Sequence, residues 1–244
     1  MTLRAYLLPM LSLAALAVFL WPLWALGDLV QIELGGVLFG LAALALLAVT
    51  FLVLDGNLLG PKQLALLGTM AALGAALRVG TGGVAGLELI FVAVILGGAA
   101  FGARFGFLLG ATTILLSSLF LGGIGPWTPF QIFATAWVGA GAALVSARFG
   151  RFRIAALASY AVLASYLFGL LMNLWFWPSA TGLSSSVSFA SDAGLVENLG
   201  RFLSFSLVSS TLTWDTVRAV SVAAVIAVFG RAALRTLQRA KIRV

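Results

Sequence analysis

Long runs of apolar residues, each about 17–24 positions, follow one another along the chain with only short polar interruptions. At 1.5 Å per residue such a run covers a hydrocarbon core of about 30 Å, so each predicts a membrane-crossing helix. Barrel strands would instead alternate polar and apolar positions, and these runs do not. The pattern predicts eight spans, near residues 3–26, 34–54, 63–79, 86–102, 105–121, 129–147, 154–176 and 209–230. Two spans within residues 1–60 precede a six-helix unit over 61–244 that ends in a basic tail. The run 3–26 is too long for the apolar stretch of a signal peptide, and a second run follows closely, so it reads as a retained helix.

Composition agrees with this all-α, multi-pass reading. Hydrophobic residues make up 62% of the chain, charged residues 9%, and mean hydropathy is +1.16. Soluble domains average roughly 45–50% and about 25% for the same two classes. The net charge of +7 does not point to nucleic acid, because the cations sit in short clusters beside apolar runs. With eight spans, Arg4, Lys62, Arg104, Arg148, Arg151, Arg153, Arg231, Arg235, Arg239, Lys241 and Arg243, eleven of the fourteen basic residues, fall on one face. The positive-inside rule makes that face cytoplasmic and places both termini there. The chain has no cysteine and no histidine, which excludes disulfides, thiol or imidazole catalysis and Cys/His metal sites within it.

Charges inside spans cost about 2.5–3.5 kcal/mol on insertion scales and are functional candidates by default. Asp215 and Arg218, three apart in "TLTWDTVRAV", share a helix face and can pair, either as a self-neutralised structural pair or as a polar wall of a pocket. Glu88 falls near the outer start of its span, where a carboxylate complements the helix dipole. Asn173 is a polar residue among bulky apolar ones near the outer boundary. Trp127, Trp175, Trp177 and Trp214 sit at a similar level and read as an interfacial belt, whereas Trp137 lies deeper. The polar segment from Trp177 to Val208 is expected to be an outer lid or a tether, with a weakly amphipathic stretch near Leu195–Phe205.

Two further patterns concern backbone geometry. In "GGIGPWTPFQIFATAW" the glycines and Pro126 predict a tight outer turn, and Pro129 opens the next helix, leaving Trp127 and Gln131 at the rim. In "GTMAALGAALRV", Gly68, Ala72 and Ala76 recur every four residues, with Ala71 and Ala75 on the neighbouring ridge. Small residues at this spacing allow close helix–helix approach in lipid, within the chain or with a partner.

The block from Gln63 to Leu144 resembles the substrate-binding S components of energy-coupling factor (ECF) vitamin transporters. The matching segments are the alanine helix "ALLGTMAALGAALRV", the lid-like loop "GTGGVAGLE", and "GPWTPFQIF" as the opening of a fourth core helix. The terminal "STLTWDTVRAV" is also similar, so the resemblance covers roughly Gln63–Arg235. It implies a receptor of the bacterial plasma membrane, without ATPase activity of its own, that captures a vitamin outside. The receptor then docks on a transmembrane coupling subunit driven by two cytoplasmic ATPases. Gly68, Ala71, Ala72, Ala75 and Ala76 would form the docking face. Thr81, Glu88, Trp127, Gln131, Asn173, Trp175, Trp214, Asp215 and Arg218 would surround the ligand. The "GPWTPFQ" segment is similar to the cobalamin-type branch, which makes cobalamin or a related corrinoid the expected ligand. Without histidine it would be held by shape and peripheral amides. No cofactor or metal is expected. The two N-terminal spans depart from the six-helix pattern and must leave the alanine ridge uncovered.

A secondary transporter is the competing reading, but the glycine-rich breaks at 80–86 and 122–128 do not recur in a second half. An intramembrane enzyme is disfavoured, because Asp192 and Asp215 have no catalytic spacing. A passive assembly subunit would differ from a receptor in having no ligand-stabilised state.

Overall fold

A computed structural model describes residues 4–24, 37, 40–42, 45, 60–82, 84, 86–180 and 186–242. All regular structure among these residues is helical. The elements are α1 (Arg4–Phe19), α2 (Trp21–Trp24), α3 (Pro61–Thr81), α4 (Ile90–Phe101), α5 (Ala103–Ser118), α6 (Thr128–Arg148), α7 (Arg153–Phe176) and α8 (Leu195–Ser206). A π-helical segment (Leu207–Asp215) then leads into α9 (Thr216–Ile242). Most of the predicted span 34–54 lies outside the described residues.

Four helical runs are long and apolar enough to cross a membrane: Pro61–Thr81, Thr128–Arg148, Gly150–Ser179 and Leu195–Ala240. The eight predicted spans are therefore met only in part. Spans 86–102 and 105–121 become the shorter α4 and α5, about 18 and 24 Å long at 1.5 Å per residue. Loop residues up to Leu89 shorten the first, and Gly102, at φ 104°, separates the two helices. The segment 177–208 is also corrected: α8 and the π segment continue directly into α9, so only its first part is a connection. The expected amphipathic stretch near Leu195–Phe205 coincides with α8, whose apolar residues recur at helical spacing although only some of them are buried. Phe202 and Phe205 are buried, while Leu195, Val196, Leu199 and Leu203 are exposed.

Helix α4 is the centre of the bundle, with ten of its twelve residues buried. Its packing against α5 and α6 rests on glycine. A Cβ on Gly98 or on Gly106 would run into the Gly139 carbonyl, and a Cβ on Gly139 into the Gly106 carbonyl. Gly110 lies in the same way against the backbone of Thr135 and Ala136. Three backbones thus meet with no side chain between them, the close approach that membrane helices reach through small residues.

Helices α7 and α9 run antiparallel: Tyr166 bonds Thr216 near one end, and Ile154 lies against Gly230 near the other. The second end is basic. Arg153 and Ser146 both donate to the Ala99 carbonyl, at 2.6 and 3.0 Å, satisfying an acceptor that the end of α4 leaves unpaired. The exposed Arg231, Arg235 and Arg239 extend from the same end of α9. Helix α1 packs against α6 and α7, with Phe19 set edge-on to Phe130 and tilted against Trp137.

Candidate functional site

At the end of the bundle opposite the arginines, the helices exchange polar side chains. Arg218, in the first turn of α9, is buried and donates to three acceptors. Nε reaches Glu88 Oε2 at 2.7 Å, while Nη1 reaches Asp215 Oδ1 at 2.8 Å and the Ser165 carbonyl at 3.1 Å. Its guanidinium also lies over Phe168 and Phe91, 4.9 and 5.4 Å from the ring centroids. The i,i+3 pairing read from sequence is present, yet Glu88 joins it across 130 positions of chain.

Asp215 is 1% exposed. A Cβ on Gly169 of α7 would collide with its carboxylate, so the bare backbone of Gly169 creates the space it occupies. Its second oxygen accepts from the Ser210 hydroxyl at 2.8 Å, and Asn173 Nδ2 donates to Ser210 at 2.8 Å and to Ser206 at 3.2 Å. The π winding contributes here: Thr216 donates back to the Thr211 carbonyl five residues earlier, at 2.7 Å. Such segments are frequent at functional sites.

A second cluster lies at the same end. Arg78 of α3 donates to Ser117 of α5 at 2.8 Å and to Gln131 of α6 at 3.0 Å, and it interacts electrostatically with Glu88. Four helices and the loop before α4 are thereby linked through Arg78 and Glu88. That loop is also held by Gly86, at φ 74°, where a Cβ would strike the Trp214 carbonyl and Val217.

Glu88, Asn173, Asp215 and Arg218 are thus brought into one network, and Gln131 into the adjoining one. The other proposed ligand contacts are elsewhere. Thr81 bonds its own helix at the Leu77 carbonyl. Trp127 is 39% exposed, its ring against Gly125, and Trp214 is 46% exposed. Trp175 stacks on Phe130, with centroids 4.7 Å apart and planes at 4°, and its buried indole N–H has no partner. Trp177 is a correction to the interfacial belt: it is fully buried against Leu174, Phe202 and Phe205 and donates to the Val187 carbonyl at 2.8 Å. The alanine ridges also separate. Gly68, Ala72 and Ala76 are exposed, but Ala71 and Ala75 face the bundle and are 3% and 4% exposed, so they are closed to a partner.

Sequence reading missed Arg78, Ser206, Ser210 and Gly169. Arg78 carried a signal, since it lies off the face that collects most of the cations. Two apolar clefts flank Trp137: one of about 200 Å³ between α6 and α7, and one of about 370 Å³ bounded by Ser12, Leu13 and Leu16 of α1. Neither includes the proposed ligand contacts. Comparison with protein families, curated proteins and solved structures finds no match to the chain.

Proposed function

We propose that this chain is a non-catalytic, membrane-embedded receptor of the ECF S-component kind, which captures a vitamin at the polar end of its bundle for uptake by ATP-driven partners. The observation that carries the reading is the linked pair of clusters, Arg78–Gln131–Ser117 and Glu88–Arg218–Asp215–Ser210–Asn173. They join the ends of separate helices to the loop that resembles a lid. Ion pairs at this depth are costly to assemble, and function is their common justification in a membrane. The arginine-rich end then faces the cytoplasm and the polar end faces outward.

Capture requires the loop before α4 to lift from Trp214 and Val217, because Glu88 and Gly86 hold it there. Partially exposed Glu88, Arg78 and Gln131 would then meet the ligand, while the buried Asp215 and Arg218 keep the helices in place. The exposed Gly68–Ala72–Ala76 ridge is the docking face for the coupling subunit, and α1, lying on α6 and α7, is directed elsewhere. A corrinoid is larger than either cleft beside Trp137, so this ligand in particular demands the open form.

The test is a thermal-shift screen of the purified chain against a vitamin panel that includes cobalamin. A ligand at 100 times its dissociation constant adds about 2.7 kcal/mol of stability. One vitamin should raise the melting temperature in a dose-dependent way. No response across the panel would remove the receptor reading.

A further inference from the structure

We infer that the arginine-rich end of the bundle is a docking surface for the anionic phospholipid headgroups of the leaflet in which it lies. The inference rests on the chain lying in a membrane and is independent of the vitamin reading. Several helices assemble this surface. The bond from Arg153 to the Ala99 carbonyl joins the start of α7 to the end of α4, and Arg104 follows in the first turn of α5. Arg148 ends α6, and Arg151 lies in the turn that leads into α7. A Cβ on Gly230 of α9 would lie 3.5 Å from Ile154, which brings Arg231 to the same level. Arg235 and Arg239 continue at four-residue spacing along one face of α9. Arg153 is partly buried, and the other six are exposed. Among the described residues the carboxylates are elsewhere. Glu88 and Asp215 belong to the polar network at the opposite end, and Asp192 and Glu197 lie beside or on α8, which meets α7 at that same opposite end through Asn173 and Ser206.

The occupant follows from what borders the arginines. Leu144 lies one turn before Arg148 on α6 and is 69% exposed; Val228 lies three residues before Arg231 on α9 and is 70% exposed. Each face therefore passes from apolar residues to arginine within about one turn, as it does where hydrocarbon gives way to headgroups. Phe149 and Phe152 flank Arg151 and are exposed as well, with the Arg151 guanidinium 4.7 Å from the centroid of the Phe152 ring. A soluble acidic protein docking from the aqueous side meets the arginines but not the apolar residues beneath them. A phospholipid meets both, with its phosphate on the guanidinium groups and its chains on Leu144, Val228 and the phenylalanines. An anionic headgroup is selected, because a zwitterionic one brings its own cation against a cluster that has no carboxylate to receive it.

The experiment is to strip the purified full chain of lipid in mild detergent and offer it equimolar phosphatidylglycerol and phosphatidylcholine in mixed micelles. Lipids retained after washing are counted by mass spectrometry. Wild type should retain phosphatidylglycerol in excess. A surface arginine contributes about fivefold to attraction by an anionic lipid surface, so Arg151→Gln/Arg231→Gln should need at least about tenfold more phosphatidylglycerol for half-occupancy. Its melting temperature in phosphatidylcholine should equal that of wild type, because both side chains are exposed. Arg201→Gln, on α8 at the opposite end, is the control and should need no more than wild type. Raising salt to about 0.5 M should weaken the wild-type preference by screening, a measurement that decides even if the double variant does not fold. Equal retention of the two lipids by wild type, a preference indifferent to salt, or unchanged half-occupancy in the double variant would overturn the inference. Displacement of phosphatidylglycerol by an equal concentration of inorganic phosphate or of a polyglutamate peptide would assign the surface to a soluble anion and overturn the lipid assignment.

Discussion

Replacing Arg218 with methionine tests whether the ion cluster holds the bundle together. Methionine approximates the aliphatic stem, so the main loss is charge and three hydrogen bonds. Glu88 is about one-third exposed and can be hydrated, but Asp215 is 1% exposed and would keep only the Ser210 hydroxyl. Stranding one partner of a buried pair costs about 3–5 kcal/mol, whereas replacing both with neutral groups is often close to neutral. The Arg218→Met protein should therefore melt about 6–20 °C below wild type, taking 2–4 °C per kcal/mol for a chain of this size. The double variant Asp215→Asn/Arg218→Met should recover most of that loss, and Glu88→Gln should lose least of the three. The seven tryptophans make intrinsic fluorescence in detergent a convenient readout of unfolding. A single variant melting within about 2 °C of wild type, or a double variant falling as far as the single, would refute the argument that Asp215 depends on Arg218.

Two further outcomes follow from the helix contacts. Gly139→Val should abolish monodisperse protein on size exclusion, because the added carbons must enter space held by the Gly106 backbone; Gly68→Val, with nothing within 4 Å of its Cβ, should elute as wild type. Under the receptor reading, Ala72→Trp on the exposed ridge should abolish vitamin uptake in cells carrying the coupling partners while vitamin-induced thermal stabilisation persists. Uptake equal to wild type would remove the docking role.

Apolar runs placed α3, α6 and α7 close to their observed limits, because length and hydropathy are properties of each segment alone. The turn and proline signals before α6 were legible for the same reason: Gly122 and Gly123 have φ near +70°, and Pro129 lies in the first turn. Helix α8 was legible as the amphipathic stretch near Leu195–Phe205, but its direct continuation into α9 was not, because only Phe202 and Phe205 of its apolar residues are buried while the leucines are exposed. The π winding of 207–215 depends on how Asp215 and Thr216 are held, which spacing does not encode. Within the site, Asp215 and Arg218 were found because their pairing is local. Glu88 as their third member, and Arg78 with Gln131, required knowing which helix ends meet. Gly169 looked like any other small residue until Asp215 was placed against it.

The linked clusters at the polar end also have an electrical consequence. Arg78 and Arg218 contribute two formal positive charges, and Glu88 and Asp215 two negative ones, so the four sum to zero. One uncompensated charge crossing the membrane field exchanges about 2.3 kcal/mol of work per 100 mV. A rigid tilt of this end of the bundle carries no net charge from these four residues through the field, and their contribution to the work nearly cancels. Through these four residues, movement of this end couples only weakly to a membrane potential.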